Sequence, residues 1–332
     1  MKAILAGLVW CCCASAQAPA VGEIEFYGLR TLTPEKILSA VKLKAGDPIP
    51  PSKGELQDRI ADLPNVVLAR VEAVCCRGKD VILFIGIEEK GAPHPAFLSP
   101  PAGDARLPDE VVNSYRLFLG AVQRAASRGE AAEDLTAGHS LMQDVQARAY
   151  QERFVTLAAE HLEELRAVLR GSPDAELRAL AAAVIGYAPK KQEVVNDLQA
   201  AVMDFDESVR VNAVRSLNAF AVGGIKVAPT WFLELLNSVV LSDRVEAVRA
   251  LLTLTDRGAA EIAELLRSRS ALPALAEMAR WKSARYAVPP FLLLGRVAGL
   301  PDAEVQDRWQ KGDRESVIQK AIAPPAKKRA VQ

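Results

Sequence analysis

Of the five cysteines, Cys75 and Cys76 are the two beyond the N-terminal run Cys11-Cys12-Cys13, and their adjacency restricts what they can do. Neighbouring residues on a strand point to opposite faces. The pair therefore reads as one buried small side chain and one exposed thiol, with a vicinal disulfide or redox dithiol as the alternative. No Cys-x-x-Cys spacing backs the redox reading. His94 stands between Pro93 and Pro95 with no second ligand nearby, and His139 shares no spacing with a cysteine or a carboxylate cluster. His161 and Glu164 would face together on a helix, yet two ligands do not close a metal site. Glu88-Glu89 and Glu163-Glu164 are adjacent pairs that lack the separation of an acid/base couple. There is no Gly-rich phosphate loop and no Gly-x-Ser-x-Gly elbow. The expectation is a non-enzyme with no catalytic residue, no metal and no cofactor.

The chemistry that does recur is charge on a repeated frame. Arg210-Val211-Asn212-Ala213-Val214-Arg215-Ser216-Leu217 returns as Arg244-Val245-Glu246-Ala247-Val248-Arg249-Ala250-Leu251, and Arg178-Ala179-Leu180-Ala181 is an earlier copy. The period is 32 residues (178 to 210) and then 34 (210 to 244). Self-similarity at that interval marks a helical solenoid, whose use is generally a surface for other macromolecules. Val209, Ala213, Val214 and Leu217 share one helical face, with alanine where helices approach closest. Asp204, Asp206 and Ser208 offer capping oxygens. Arg178 and Arg210 read as structural, each pairing with an acid in the neighbouring turn; a basic ladder gripping acidic partners is the alternative. Arg215 and Arg249, on the far side of those helices, are the candidates for contact with a partner.

Lys+Arg and Asp+Glu both number 41 in 332 residues, so no net field recruits nucleic acid or an anionic membrane. Lys2 followed by the uncharged run Ala3–Cys13 and by Ala14-Ser15-Ala16 reads as a secretory signal over residues 1–16. An exported, periplasmic protein without a membrane span in its mature form is expected. Lipid anchoring at Cys11, Cys12 or Cys13, or full secretion, is the alternative.

Residues 21–90 read as strand, two helices and a hairpin. Glu23 to Tyr27 alternates, Thr33-Pro34-Glu35 opens one helix and Ser52 caps a second. Val66–Val74 and Val81–Ile87 flank the turn Arg77-Gly78-Lys79-Asp80. The second run is apolar on both faces, as a central strand is. Ile24-Glu25-Phe26-Tyr27-Gly28-Leu29, Leu43-Lys44-Ala45-Gly46-Asp47-Pro48, Leu63-Pro64-Asn65-Val66 and Ile85-Gly86-Ile87-Glu88-Glu89-Lys90 together resemble a POTRA domain. The resemblance implies an open edge strand at Val67, Ala69 and Val71 that accepts an extended partner segment. Insertase activity does not carry over, because no barrel-like strand series follows.

Residues 91–108 carry five prolines and read as an extended, semi-rigid spacer; residues 109–154 read as a helical segment. From about 155 to 300, Asp204-Phe205-Asp206-Glu207-Ser208-Val209-Arg210, Ser172-Pro173-Asp174-Ala175-Glu176-Leu177-Arg178 and Ser242-Asp243-Arg244 resemble HEAT repeats. A drifted fourth pair spans Ala259–Leu266 and Ala274–Gly295, and residues 301–332 supply a capping helix and a basic tail. The fold class expected is α+β then all-α: a small β-α-α-β-β unit joined to an α-solenoid. The function expected is an adaptor binding one or more envelope proteins through the edge strand and the solenoid surface. The N-terminal unit as a mere folded spacer is one alternative. Chemistry at Cys75/Cys76, or a lyase activity of the kind some HEAT proteins carry, is another.

Overall fold

Alternating apolar residues build the sheet that opens the chain. The computed structural model describes residues 20–77, 80–268 and 271–323; the expected signal at 1–16 and the basic residues Lys327, Lys328 and Arg329 lie outside them. Strands β1 (Val21–Tyr27), β2 (Val66–Arg77) and β3 (Asp80–Glu89) form a sheet of order β1-β3-β2. Strand β3 is central, parallel to β1 and antiparallel to β2. Helices α1 (Pro34–Val41) and α2 (Lys53–Ala61) cover one face, where Ile37, Val41, Leu56 and Ile60 meet Ala69, Val71, Leu83 and Ile85. Ser52 caps α2 by accepting from the Glu55 amide, whereas Thr33 at the start of α1 makes no side-chain cap bond. The backbone of Cys75 and Cys76 lies in β2; their side chains fall outside the described residues, and so does the thiol reading.

The end of β3 is fastened to the turn after β1 by one carboxylate. Glu89 accepts from the amides of Arg30 (2.7 Å), Thr31 (3.0 Å) and Leu32 (3.1 Å) and from the Thr31 hydroxyl. Burial opposes its charge, but the hydroxyl and the amides outweigh that and hold its carboxyl at about 2. A carboxyl depressed in the folded state adds stability above its ordinary value of 4.5 and loses it as pH falls toward 2. Glu89→Gln is therefore expected to lower the unfolding free energy by about 2–3 kcal/mol at neutral pH. In urea titrations the gap to the parent protein should close between pH 4.5 and 2.

The other face of β3 is covered by helices far along the chain. After α3 (Asp109–Ser127) come a two-residue hairpin, β4 (Glu133–Asp134) and β5 (Leu141–Met142), then α4 (Val145–Glu160). The segment 109–154 is thus not wholly helical, and α4 runs across the boundary expected near 155. Two-residue strands carry no periodicity that a sequence could display. Helix pairs follow: α5 (Leu162–Gly171) with α6 (Ala175–Val184), α7 (Lys191–Ala201) with α8 (Glu207–Val222), and α9 (Thr230–Leu235) with α10 (Leu241–Ser268), which kinks at Gly258. Helix α6 packs on α8, α8 on α10, and α10 on α12 (Ala284–Val297), which makes a continuous inner row. The drifted fourth pair is divided differently from the expectation, because α11 (Leu272–Ala279) ends before the Trp281-Lys282-Ser283 turn opens α12. Pro289 and Pro290 lie inside α12. Helices α13 (Asp302–Gln310) and α14 (Arg314–Ile322) close the row against α12. Among the described residues no helix is long and apolar enough to cross a membrane.

The sheet docks on this row at α10, α11 and α12. Trp281 meets Tyr27 and Phe84 edge-on at 5.8 and 5.0 Å, and Phe84 meets Tyr286 at 5.1 Å. Such contacts add about 0.5–1.5 kcal/mol each beyond area burial. Around this aromatic centre, Tyr27 donates to the Val239 carbonyl (2.8 Å), Trp281 Nε1 to Phe26 O (3.2 Å), the Lys282 amide to Glu25 (2.6 Å) and the Leu241 amide to Glu72 (2.8 Å). The N-terminal unit is thus not a detached spacer.

Residues 91–108 are not a free spacer either. The Leu98 amide donates to Met203 O and the Gly103 amide to Gly171 O, both at 2.8 Å, while Leu107 is buried. The segment runs back along the repeat turns toward α3, using amides that prolines do not remove to satisfy helix-end carbonyls.

Candidate functional site: a cleft on the inner helices

Three inner helices, α6, α8 and α10, each carry near their start a buried arginine aimed at the next repeat. Arg178 donates from Nε and Nη2 to Asp204, both at 2.8 Å, and from Nη1 to the Ser172 and Pro173 carbonyls. Arg210 does the same one repeat on, with Nε and Nη2 on Asp243 and Nη1 on the Asp204 and Phe205 carbonyls. Its guanidinium also lies 3.9 Å from the centre of the Phe97 ring, so the 91–108 segment, a strap along the repeat turns, is tied to this rung. Arg244 forms a third rung with Glu277 at 3.1 Å, and Glu277 in turn accepts the Gly28 amide of the sheet. Burial pushes the Glu277 carboxyl up even with Arg244 beside it. Arg178 and Arg210 are 1% and 2% exposed and thus out of reach of any partner. Asp206, one residue before α8, caps it through the Ser208 and Val209 amides. Asp204 serves both Arg178 and the Asp206 amide.

Five residues beyond each rung the same helices present a different face. The equivalent positions are Ala183, Arg215 and Arg249, and all three line one cleft of about 370 Å³. Its walls are α3, through Tyr115 and Phe118, and the segment between β4 and β5, through Leu135 and His139. Gln151 holds that segment in place: it accepts from the Met142 amide (2.6 Å) and donates to Ser140 and to Tyr187. Tyr187 donates to the Ser140 carbonyl at 2.9 Å, and burial raises its phenol well above the ordinary range. Burial and the neighbouring Lys191 lower the His139 imidazole, which is therefore neutral near pH 7.

Charges in the cleft alternate. Arg215 donates to Glu133 of β4 at 2.5 Å, and Arg249 donates to Glu246 of its own helix at 2.6 Å. Arg215 is only partly buried, and that partial burial opposes its charge, but Glu133 and Glu246 outweigh it and raise the guanidinium further. Exposed or half-exposed pairs of this kind add about 0–1 kcal/mol to stability. Pairs this weak do not brace the repeats as the buried rungs do.

The edge strand is less open than the sequence reading had it. Strand β2 does lie at an edge of the sheet, and Val67 is 58% exposed. Ala69 and Val71 are buried beneath α1 and α2, so only their main chain can meet a partner. One of those outward amides, of Val71, is already taken by Gln57 of α2 at 3.0 Å. Val67 thus stands apart from Ala69 and Val71, and none of the three lines the Arg215–Arg249 cleft. Glu133, Tyr187 and Asn218 of the cleft were missed in the sequence, since each comes from a different element with no shared spacing. Among the described residues, no group of three His, Cys, Asp or Glu side chains is placed to hold a metal ion.

The family described as HEAT repeats matches residues 162–253, from the start of α5 to the middle of α10, which includes the three rung arginines but not Glu277 of the third rung. This match covers the helical repeats and not the sheet. No curated relative matches the chain.

Proposed function

We propose that this chain is a non-catalytic interaction scaffold of a bacterial cell envelope, exported to the periplasm, in which a POTRA-like unit and a HEAT solenoid are fused into one body. The observation that carries the reading is the split role of the repeat arginines. One set is locked in buried rungs; the other, Arg215 and Arg249, is turned outward into a shared cleft and held only by exchangeable pairs. HEAT repeats generally serve protein–protein interaction, and an inner row of this kind is their usual contact surface. The charges that line the cleft are arginines and carboxylates in pairs, an arrangement suited to recognising a charged chain. A second contact at the outer edge of β2, around Val67 and Leu68, fits main-chain strand addition. Both residues are large, apolar and exposed on the edge strand of the sheet.

Photoreactive amino acids placed singly at Val67 and at Arg249 in intact cells test the reading. Adducts with an envelope protein at either site, unchanged when Cys75 and Cys76 are both serine, are the expected outcome. Absence of protein adducts at both sites, or their loss in the serine variant, would overturn it.

A further inference from the structure

The inner-face cleft is partly occupied by the chain itself, and the way it is occupied points to what would replace the occupant. A guanidinium offers five N–H donors in a planar fork that matches the two oxygens of a carboxylate. Among the described residues Arg215 engages one carboxylate through Nη2 and Arg249 one through Nη1. Both side chains remain substantially exposed, at 47% and 41%. Their two acids are not equivalent. Glu246 sits on α10 beside Arg249 and is 12% exposed, part of the helix wall. Glu133 comes from β4, a strand of two residues paired only with another of two. A hairpin that short has little stability of its own, so Glu133 is the replaceable member.

A second observation is independent of the arginines. Asn218 lines the same cleft, and its Oδ1 is buried without a hydrogen-bond partner among the described residues. A buried polar atom left unpaired costs about 1–3 kcal/mol, and it calls for a donor such as a peptide amide. Tyr115, Phe118 and Tyr187 add apolar wall. With His139 neutral and Glu133 displaced, Arg215 and Arg249 outnumber Glu246, so the vacated cleft is cationic.

We propose that this cleft takes an acidic extended segment of a partner protein: its carboxylates pair with Arg215 and Arg249, a main-chain amide reaches Asn218, and Glu133 is the intrachain stand-in that gives way. The assignment deepens the interaction reading above and rests on it. It makes the β4–β5 hairpin a competitor that sets the threshold for binding.

The test uses the full chain and fluorescence anisotropy at low ionic strength, where exposed charge pairs are least screened. The probes are fluorescein-labelled pentaglutamate, pentalysine and a ten-nucleotide oligothymidylate. Pentaglutamate is expected to bind, about 3–10-fold more tightly to Glu133→Gln and at least tenfold more weakly to the double variant Arg215→Gln, Arg249→Gln, because charge-assisted bonds are the stronger ones. Circular dichroism should show both variants folded, because these pairs contribute little to stability. Pentaglutamate affinity indifferent to both variants would overturn the assignment, as would tighter binding of pentalysine or of the oligonucleotide at these arginines. If adducts still form at Val67 in cells while pentaglutamate ignores both variants, the scaffold reading stands and the acidic-segment assignment falls. If Val67 and Arg249 both fail to capture protein, both fall.

Discussion

Arg210→Ala should lower the unfolding free energy by about 3–5 kcal/mol, the cost of leaving a buried charge without its partner. Asp243 would then keep only the Ser238 hydroxyl, at 2.6 Å, with its side chain fully shielded from water. The carbonyls of Asp204 and Phe205 would lose a donor, and Phe97 would lose the cation over its ring. Loss of the strap contact should therefore accompany loss of the rung. Arg215→Ala, on the same helix but with an exposed partner, should cost no more than about 1 kcal/mol. Urea denaturation followed by circular dichroism separates the two. The double replacement Arg210→Met, Asp243→Leu should recover most of the loss, because an apolar pair removes both desolvation penalties. A loss below 1 kcal/mol for Arg210→Ala would show that the rungs do not brace the repeats.

Gly86→Val should pull the sheet off the solenoid. A Cβ at that position would lie 2.5 Å from the Tyr27 ring and 2.5 Å from the Val239 carbonyl oxygen. The ring cannot move aside, since its hydroxyl is bonded to that same carbonyl and its face lies under Arg244. Overpacking of this kind costs about 1–3 kcal/mol, enough to shift the open fraction roughly 5- to 150-fold. Two readouts follow: faster proteolysis within residues 91–108, and a red shift in emission as Trp281, now 2% exposed, meets water. Gly171→Ala is the matching control, since an added Cβ there meets nothing within 4 Å. Equal proteolysis rates in the two variants would mean that the sheet is held elsewhere. The same interface means that deletion of residues 22–90 would disturb more than the sheet edge. The deletion would strip Trp281 and Tyr286 of their cover and perturb the solenoid directly.

The rungs were legible because their logic is local and periodic. Arg178 and Arg210 sit at one phase of the repeat, each within about one repeat of its acid, and Asp206 caps the helix that follows it. The third rung was harder to read, since Glu277 stands where a turn aspartate would and lies in a helix that had drifted from the pattern. For the sheet, the run from Val81 to Ile87 announced burial on both faces. What it could not name was the second cover. Tyr27 meets Val239 across 212 residues and Phe26 meets Trp281 across 255, and no spacing encodes such a pairing. Gly86, a small residue in the middle of that apolar run, was the available signal of a close approach. The proline-rich stretch misled for a related reason. Its missing donors and extended backbone argue for a spacer, yet the amides that remain at Leu98 and Gly103 are enough to fasten it to helix ends.

Read alone, the chain determined its repeat period, its helix caps, the order of strands and helices in the first unit, and which arginines recur. These follow from hydrogen bonding and side-chain burial among near neighbours, which leave a periodic trace in one dimension. Tertiary structure alone decided that Arg215, Arg249, Glu133 and Asn218 share one cleft, that Ala69 and Val71 turn inward, and that the two units are a single body. Those outcomes depend on which surfaces meet after the helices have stacked. Such a choice is set by shape and charge across hundreds of residues, where contact carries no fixed interval along the sequence.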